Sequence, residues 1–326
     1  MLVISMQNTM LYIYEVYRER SFSQAAKNLG VSQPALSACI KKVEQELGAP
    51  LFDRSSLPIQ LTEVGELYLQ MIRQIMTAER TFHTQLSELT ELKRGRLVIA
   101  GANFFSAYVL PPILKAFASR YPGVELEIVD MDTNGLYAEA RREEIDLILD
   151  GGSYDTQAFA AEPLFREQIL FAVPQQILEH HHCQAQALSY EDILARRHRS
   201  SEVRAVDLSQ FRQERLILLQ RGHDMHMRSE QLCEHAGFTP SAVVYVNQLS
   251  TAANMAAQGL GCCFVTDTLV KMVPMGRDSL RYFVVGDSVS MREVFIAWYK
   301  RSVKTKAQQS FIEVAKQVYS GTQTKE

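Results

Sequence analysis

A change of hydrophobic period at Gly95 constrains this chain more than any other feature. Before it, apolar residues recur at steps of three and four from Ile13 to Leu89, the spacing of helices with one buried face. After it, short β-branched and aromatic runs alternate with helical segments. The two patterns build different layers, so the chain divides into separate units. Its 326 residues suffice for two or three domains of ~100–200 residues each. The expected division is a mainly α unit at 1–65, a long linker helix at 62–94 and an α/β unit at 95–326.

In the first unit, Ile13, Val16 and Tyr17 mark a helix within 10–20. Ser21 can cap a short helix at 22–29, and Gly30 supplies a turn. Ser32 caps the next helix, and Pro34 sits in its first turn, where no amide partner is lost. Leu36, Ile40, Val43 and Leu47 predict one buried stripe, which Gly48 ends. The stretch PLFDRSSLPIQLT, with two prolines, reads as a two-stranded wing. Thr62 then opens a long helix, with Glu63 and Glu66 favourable to its dipole. Leu67, Met71, Ile75, Ala78, Phe82, Leu86 and Leu89 keep one stripe along it. Thirty helical residues extend roughly 45 Å. Such a stripe needs a partner helix, most simply one from a second copy.

Beyond Gly95, RLVIAG, VELEIVD and IDLILDGG are strand runs separated by helical segments, which predicts a parallel α/β sheet. Further strands are expected at 167–173, 215–219, 242–247, 261–265, 281–285 and 293–299, with helices at 226–236, 250–259 and 304–319. The polar segment 184–213, basic at RRHR, fits neither pattern.

A formal net charge of −3 does not suit nucleic-acid binding over the whole surface, so any such role sits on one local face. The five cysteines include no C-x-x-C pair, which fits a reduced compartment without zinc fingers or a disulfide framework. No apolar run approaches the ~18–20 residues of a membrane span, and MLVISMQNTM lacks the marks of a signal peptide. A cytoplasmic protein is expected, starting at Met1 or Met6. G-x-S-x-G, H-E-x-x-H and phosphate-cradling glycine loops are absent from the sequence, so neither an enzyme nor a cofactor is expected. A transport binding protein would leave the first ninety residues unexplained.

The run S-F-S-Q-A-A-K-N-L-G-V-S-Q-P-A-L-S-x-x-I-K-K-V-E-Q-E-L-G-A-P-L-F-D-R (Ser21 to Arg54), followed by L-T-E-V-G, closely resembles the DNA-binding region of LysR-type transcriptional regulators. The similarity continues through V-L-P-P-I-L-x-x-F-x-x-x-Y-P-G-V-E-L, E-P-L-F and A-A-Q-G-L-G. The resemblance implies a winged helix-turn-helix and an effector domain of two α/β lobes, similar to periplasmic binding proteins, the first lobe about 95–163 with 267–326 and the second about 164–266. It also implies dimers or tetramers on promoter DNA, joined by the linker helix, with a small-molecule effector between the lobes.

Gln33, Pro34 and Ser37 match the family's base-reading positions, and such side chains suit the major groove. Ser21, Ser23 and Ser32 stand at helix N-termini suited to phosphate, and Lys41, Lys42 and Arg54 add charge. Position 38 is alanine where the family commonly has arginine, which removes a forked donor. Tight binding is therefore expected to need several domains engaged together. For the effector, strand ends facing a cleft nominate Asn103, Phe104, Ser106, Thr133, Asn134, Arg221, His223, Asn247 and Thr266. A small organic acid or an amino acid is the expected class. His180–His182 beside Cys183, and the pair His223 and His226, lack a full metal-ligand set. Cys262 and Cys263 are expected to be packing residues.

Overall fold

The computed structural model describes all residues except 1, 57, 90–94, 103, 132, 143, 275–276, 302–303 and 324–326, and side chains outside 2–8, 80–81, 83–89, 133–134 and 321–323. The chain forms two compact units, Met1–Leu86 and Ser87–Glu326.

The first unit runs α1 (Leu2–Glu19), α2 (Phe22–Asn28), α3 (Gln33–Leu47), β1 (Phe52–Asp53), β2 (Gln60–Leu61) and α4 (Glu63–Leu89). The α1 helix starts well before the expected residue 10. The Ser21 hydroxyl accepts the Gln24 amide at 3.3 Å and starts α2. Ser32 does the same for Ala35 at 3.4 Å and starts α3. Gly48 ends α3 at φ 71°, a left-handed conformation that suits glycine. Ile13, Val16, Leu36, Ile40 and Leu51 are fully buried together. The expected α3 stripe holds only in part. Val43 is half-buried and Leu47 is 45% exposed, because the last turn of α3 runs past the core. Gly65 fits where nothing larger would, since an added Cβ would stand 2.0 Å from the Leu51 carbonyl oxygen.

The expected stripe of α4 divides, and its Met71 packs against the core of the small unit. Leu69 and Ile72 are buried, with Ile72 in the core of the small unit. Leu67, Ile75 and Phe82, on the expected stripe, are 64%, 38% and 60% exposed. The side chains of Leu86 and Leu89 lie outside the described residues.

The second unit begins with β3 (Gly95–Gly101), α5 (Leu110–Arg120), β4 (Val124–Asp130), α6 (Thr133–Arg141), β5 (Leu147–Asp150) and β6 (Phe159–Pro174). It continues through α7 (Gln175–Leu178), α8 (Tyr190–Leu194), β7 (Arg215–Leu219), α9 (Asp224–His235), β8 (Ser241–Val246), α10 (Leu249–Ala257) and β9 (Cys262–Thr266). The last elements are α11 (Asp267–Met272), β10 (Leu280–Val284), β11 (Met291–Tyr299) and α12 (Lys306–Gln323). The sheet order is β4-β3-β5-β11-β6-β9-β7-β8, with β10 also on β6.

The expectation of a parallel sheet is only half right. β3 pairs in parallel with β4 and β5, and β7 with β8 and β9. β6 and β11 cross between the lobes in opposite chain directions, so they pair antiparallel with each other and with their neighbours. Residues 159–168 of β6 pair with β11, and 169–174 pair with β9 and β10.

In the first lobe, Leu97 and Ile99 pack with α5 and α12 on one face, while Val98 and Ala100 pack with α6 on the other. The second lobe closes around Phe171, Phe211, Phe264 and Phe283. Its core also takes Leu269, Val270 and Leu280, so the chain returns to the first lobe at β11 and not at the expected residue 267. The unassigned segment 184–213 lies on this second lobe. A capping box of Ser189 and Asp192 starts α8, and bridges join Leu188 to Tyr282 and Val206 to Val285.

Candidate nucleic-acid interface and effector cleft

Leu36 and Ile40 anchor α3, which leaves the opposite face outward. Gln33, Pro34, Ala38, Lys41 and Lys42 are exposed there, and Ser37 is half-buried. Ser23 and Ser32 are exposed as well. Ser21 and Ser32 accept amide hydrogens as caps, and their own hydroxyl protons stay available for an acceptor such as phosphate. Arg54 is more committed than its sequence suggests. Its guanidinium donates to Glu44 Oε2 at 3.0 Å, reaches the Ser37 hydroxyl at 3.5 Å and lies 4.9 Å over the Phe22 ring. Glu44 Oε1 accepts the Leu51 amide at 2.9 Å. Arg54 therefore ties the wing to α3.

Between the lobes lies a cavity of about 40 Å³. The first lobe contributes Ala102, Phe104, Phe105, Asp150 and Arg292, and the second contributes His223, Asp224, Met225 and Asn247. Of the nominated effector residues, Phe104, His223 and Asn247 line it. Arg221 is exposed outside the lining. Ser106 faces the Gly101 carbonyl at 3.5 Å. Thr266 is fully buried, caps α11 by accepting the Leu269 amide and lies outside the cavity lining. Asn103 lies outside the described residues, as do the side chains of Thr133 and Asn134 at the start of α6.

The polar residues missed in the sequence dominate the cleft. Arg292, with its side chain 4% exposed, donates from Nε to Glu167 Oε1 at 2.6 Å and from Nη1 to Asp224 Oδ2 at 2.9 Å. Its guanidinium lies 5.4 Å from the Phe105 ring centre. Burial opposes that charge, but Glu167 and Asp224 outweigh burial and hold Arg292 protonated. Arg228 also donates to Asp224 Oδ2, at 2.8 Å. Asp150 accepts the Gly151 amide at 2.8 Å and the Tyr137 hydroxyl at 3.1 Å. Burial raises the Asp150 carboxyl above its ordinary range, the Gly151 amide opposes the rise, and Asp224 adds to it. Burial and then Asp150 raise the Tyr137 hydroxyl. A Cβ at Gly152 would stand 3.4 Å from both Asp150 Oδ2 and Asp224 Oδ1, so the two carboxylates flank one small space. Asp150 at the end of a strand and Arg292 at the start of a largely apolar strand were the signals available in the sequence.

The clustered histidines have other occupations. His226 Nδ1 lies 2.7 Å from the Leu219 carbonyl, and His181 lies 2.9 Å from Glu214. Among the described residues, no group of His, Cys, Asp or Glu has a metal-binding arrangement.

A capped recognition helix with a wing, followed by a two-lobed α/β unit with a charged cleft, defines a DNA-binding transcriptional regulator with a substrate-binding domain. Residues 8–66 match the bacterial regulatory helix-turn-helix protein, lysR family, and residues 90–320 match the LysR substrate binding domain. The chain belongs to the LysR family. A Bacillus subtilis (strain 168) relative, the uncharacterized HTH-type transcriptional regulator YcgK, is 28% identical over 309 residues, covering 94% of this chain and 93% of the relative. The dual regulator OxyR of Escherichia coli (strain K12) is 27% identical over 250 residues, covering 77% and 75%. Among solved structures, full-length CbnR complexed with its target DNA shares the fold at TM-score 0.65 and 18% identity, covering 95% of this chain and 99% of that one. A full-length OxyR variant from Pseudomonas aeruginosa does so at TM-score 0.63 and 24% identity, covering 95% and 93%. No helix among the described residues is long and apolar enough to cross a membrane.

Proposed function

We propose that this cytoplasmic LysR-type regulator reads promoter DNA with Gln33, Pro34 and Ser37 and is switched by an amino acid held between its lobes. The cleft carries the second half of that reading. Asp150 and Asp224 flank one space beside Gly152, while Arg292 is already bonded to Glu167 and Asp224. A plain organic acid would add negative charge to this site, whereas an ammonium group would satisfy it. An amino acid supplies the ammonium, and its carboxylate can share Arg292. The test is calorimetric titration with a panel of amino acids and the matching 2-oxo acids. Amino acids alone should bind, and Asp150→Asn should abolish the heat. Binding by the 2-oxo acids alone would overturn this effector class.

On DNA, the exposed polar face of α3 supports base reading. Selection from a random duplex pool should enrich one motif with the wild-type chain, and Gln33→Ala should blur it. The exposed Leu67, Ile75 and Phe82 support a second copy packed along α4. Phe82→Glu should convert the oligomer to monomer in sedimentation. A monomeric wild type would remove that part of the proposal.

Relatives described as hydrogen peroxide-inducible genes activators suggest a thiol-based alternative. Reaction with peroxide needs an accessible thiolate. Cys183, Cys233, Cys262 and Cys263 are buried. Burial pushes all four thiols up, Cys233 and Cys263 to about 12. These four favour packing over redox sensing.

A further inference from the structure

The strands that frame the cleft have a second face. β11 and β6 pair Arg292 with Glu167, Met291 with Gln168, and Glu293 with Arg166. Successive side chains on a strand point to opposite faces. Arg292 and Glu167 serve the cleft, so Met291, Glu293, Arg166 and Gln168 face the back. A groove of about 800 Å³ lies there, within the usual range for small-molecule sites.

The basic RRHR turn of the unassigned segment closes this groove. Arg199 donates to the Arg166 carbonyl at 3.0 Å, which fastens the turn to β6. Arg196 holds a left-handed backbone at φ 59° as the turn begins. His198 and Arg199 then meet Asp267 at the start of α11. This carboxylate is fully buried and serves four groups. Its Oδ1 accepts the Gln168 amide at 2.9 Å. Its Oδ2 lies 3.0 Å from His198 Nε2, 3.1 Å from Arg199 and 2.6 Å from Lys271. Burial opposes the charge on Asp267, but His198 and then Lys271 outweigh burial and keep it ionised.

One carboxylate cannot neutralise Arg199 and Lys271 together. Arg166 also lines the groove, with Glu293 3.6 Å from it. The balance is positive. His198 lines the groove with its side chain fully buried, and its Nδ1 has no hydrogen-bond partner among the described residues. A buried polar atom left unpaired costs free energy that a ligand can recover. Met272 and Met291, 40% and 42% exposed, offer apolar, adaptable walls beside the cations.

We infer that the back of the crossover strands is a second ligand site, separate from the cleft, for a small organic anion bearing several carboxylate or phosphate oxygens. Arg166 and Arg199 supply planar donors suited to such groups. Lys271 supplies a point charge, and His198 Nδ1 supplies or accepts one hydrogen bond. The inference does not depend on the amino-acid reading of the cleft, because the two sites share no side chain.

The test is calorimetry on the full chain with citrate and with inorganic pyrophosphate, at constant ionic strength set with chloride. At least one should bind in a one-to-one ratio, and which one binds separates a carboxylate source from a phosphate source. Arg166→Gln, at a side chain 73% exposed, should preserve folding and weaken binding at least tenfold. Lys271→Gln should do the same, and Asn247→Ala in the cleft should leave binding unchanged. Absence of heat with both anions overturns the site, as does binding that survives Arg166→Gln and Lys271→Gln together.

Discussion

Each unit is pinned by an arginine laid over a phenylalanine and bonded to carboxylate, and exposure separates the two. Arg54 covers Phe22 and bonds Glu44 with 43% of its side chain exposed. Arg292 covers Phe105 and bonds Glu167 and Asp224 with 4% exposed. Water screens the first set of charges and leaves that tie weak. The second set has left water and must be satisfied by its neighbours. The same device is therefore a soft tether in one unit and a rigid clasp in the other.

Removing the clasp should have the largest effect. Arg292→Met leaves Glu167 buried without its partner and Asp224 with Arg228 alone, and should cost about 3–5 kcal/mol, read as a lower urea midpoint for the effector unit. A loss no larger than that for Arg54→Met would erase the distinction.

Asp150 sharpens the buried side of the comparison. Its folded carboxyl is raised above the ordinary 3.8, so its contribution to stability is complete below that value and is lost as pH rises through the raised value. Above its ordinary value, ionisation of this carboxyl opposes folding. Asp150→Asn should therefore raise the melting temperature at pH 7, with the gain shrinking as pH falls toward 4. A gain independent of pH would point to packing instead.

The exposed side can be strengthened by adding charge. Ala38→Arg should tighten general DNA binding several-fold and steepen the salt dependence by about one counterion. Gel shifts across a salt series would read both, and unchanged or weaker binding would show that this position does not face the backbone. The smallest effect belongs to Arg54→Met, under about 1 kcal/mol in stability for an exposed pair. Its DNA affinity should fall by more than its melting temperature suggests.

How much of the fold is legible in the sequence follows from how local each feature is. Ser32, Pro34, Leu36 and Ile40 lie within one short stretch, and each acts on its own helix, so α3 was legible with its caps. Leu47 departs from the expected stripe because period alone does not show where a helix outruns its core. Phe104, His223 and Asn247 followed from the rule that strand ends face a cleft. Arg292 did not, since its partners Glu167 and Asp224 lie 125 and 68 residues away in sequence. The RRHR turn was opaque because elements three to five residues long are too short to show a period.

The pairing of β6 with β11 slips at one point. Val294 pairs with Phe165 and Phe295 with Pro163, which leaves Leu164 as an extra residue. A bulge of this kind bends its strand and increases the local twist. Mechanically, β6 is a beam shared by both lobes, with a soft joint near Leu164. A load at either lobe should turn the beam at that joint and not slide the strands, because sliding would break every rung of the ladder at once. The two faces of the beam would then move together, so a ligand on one would be felt on the other as torque.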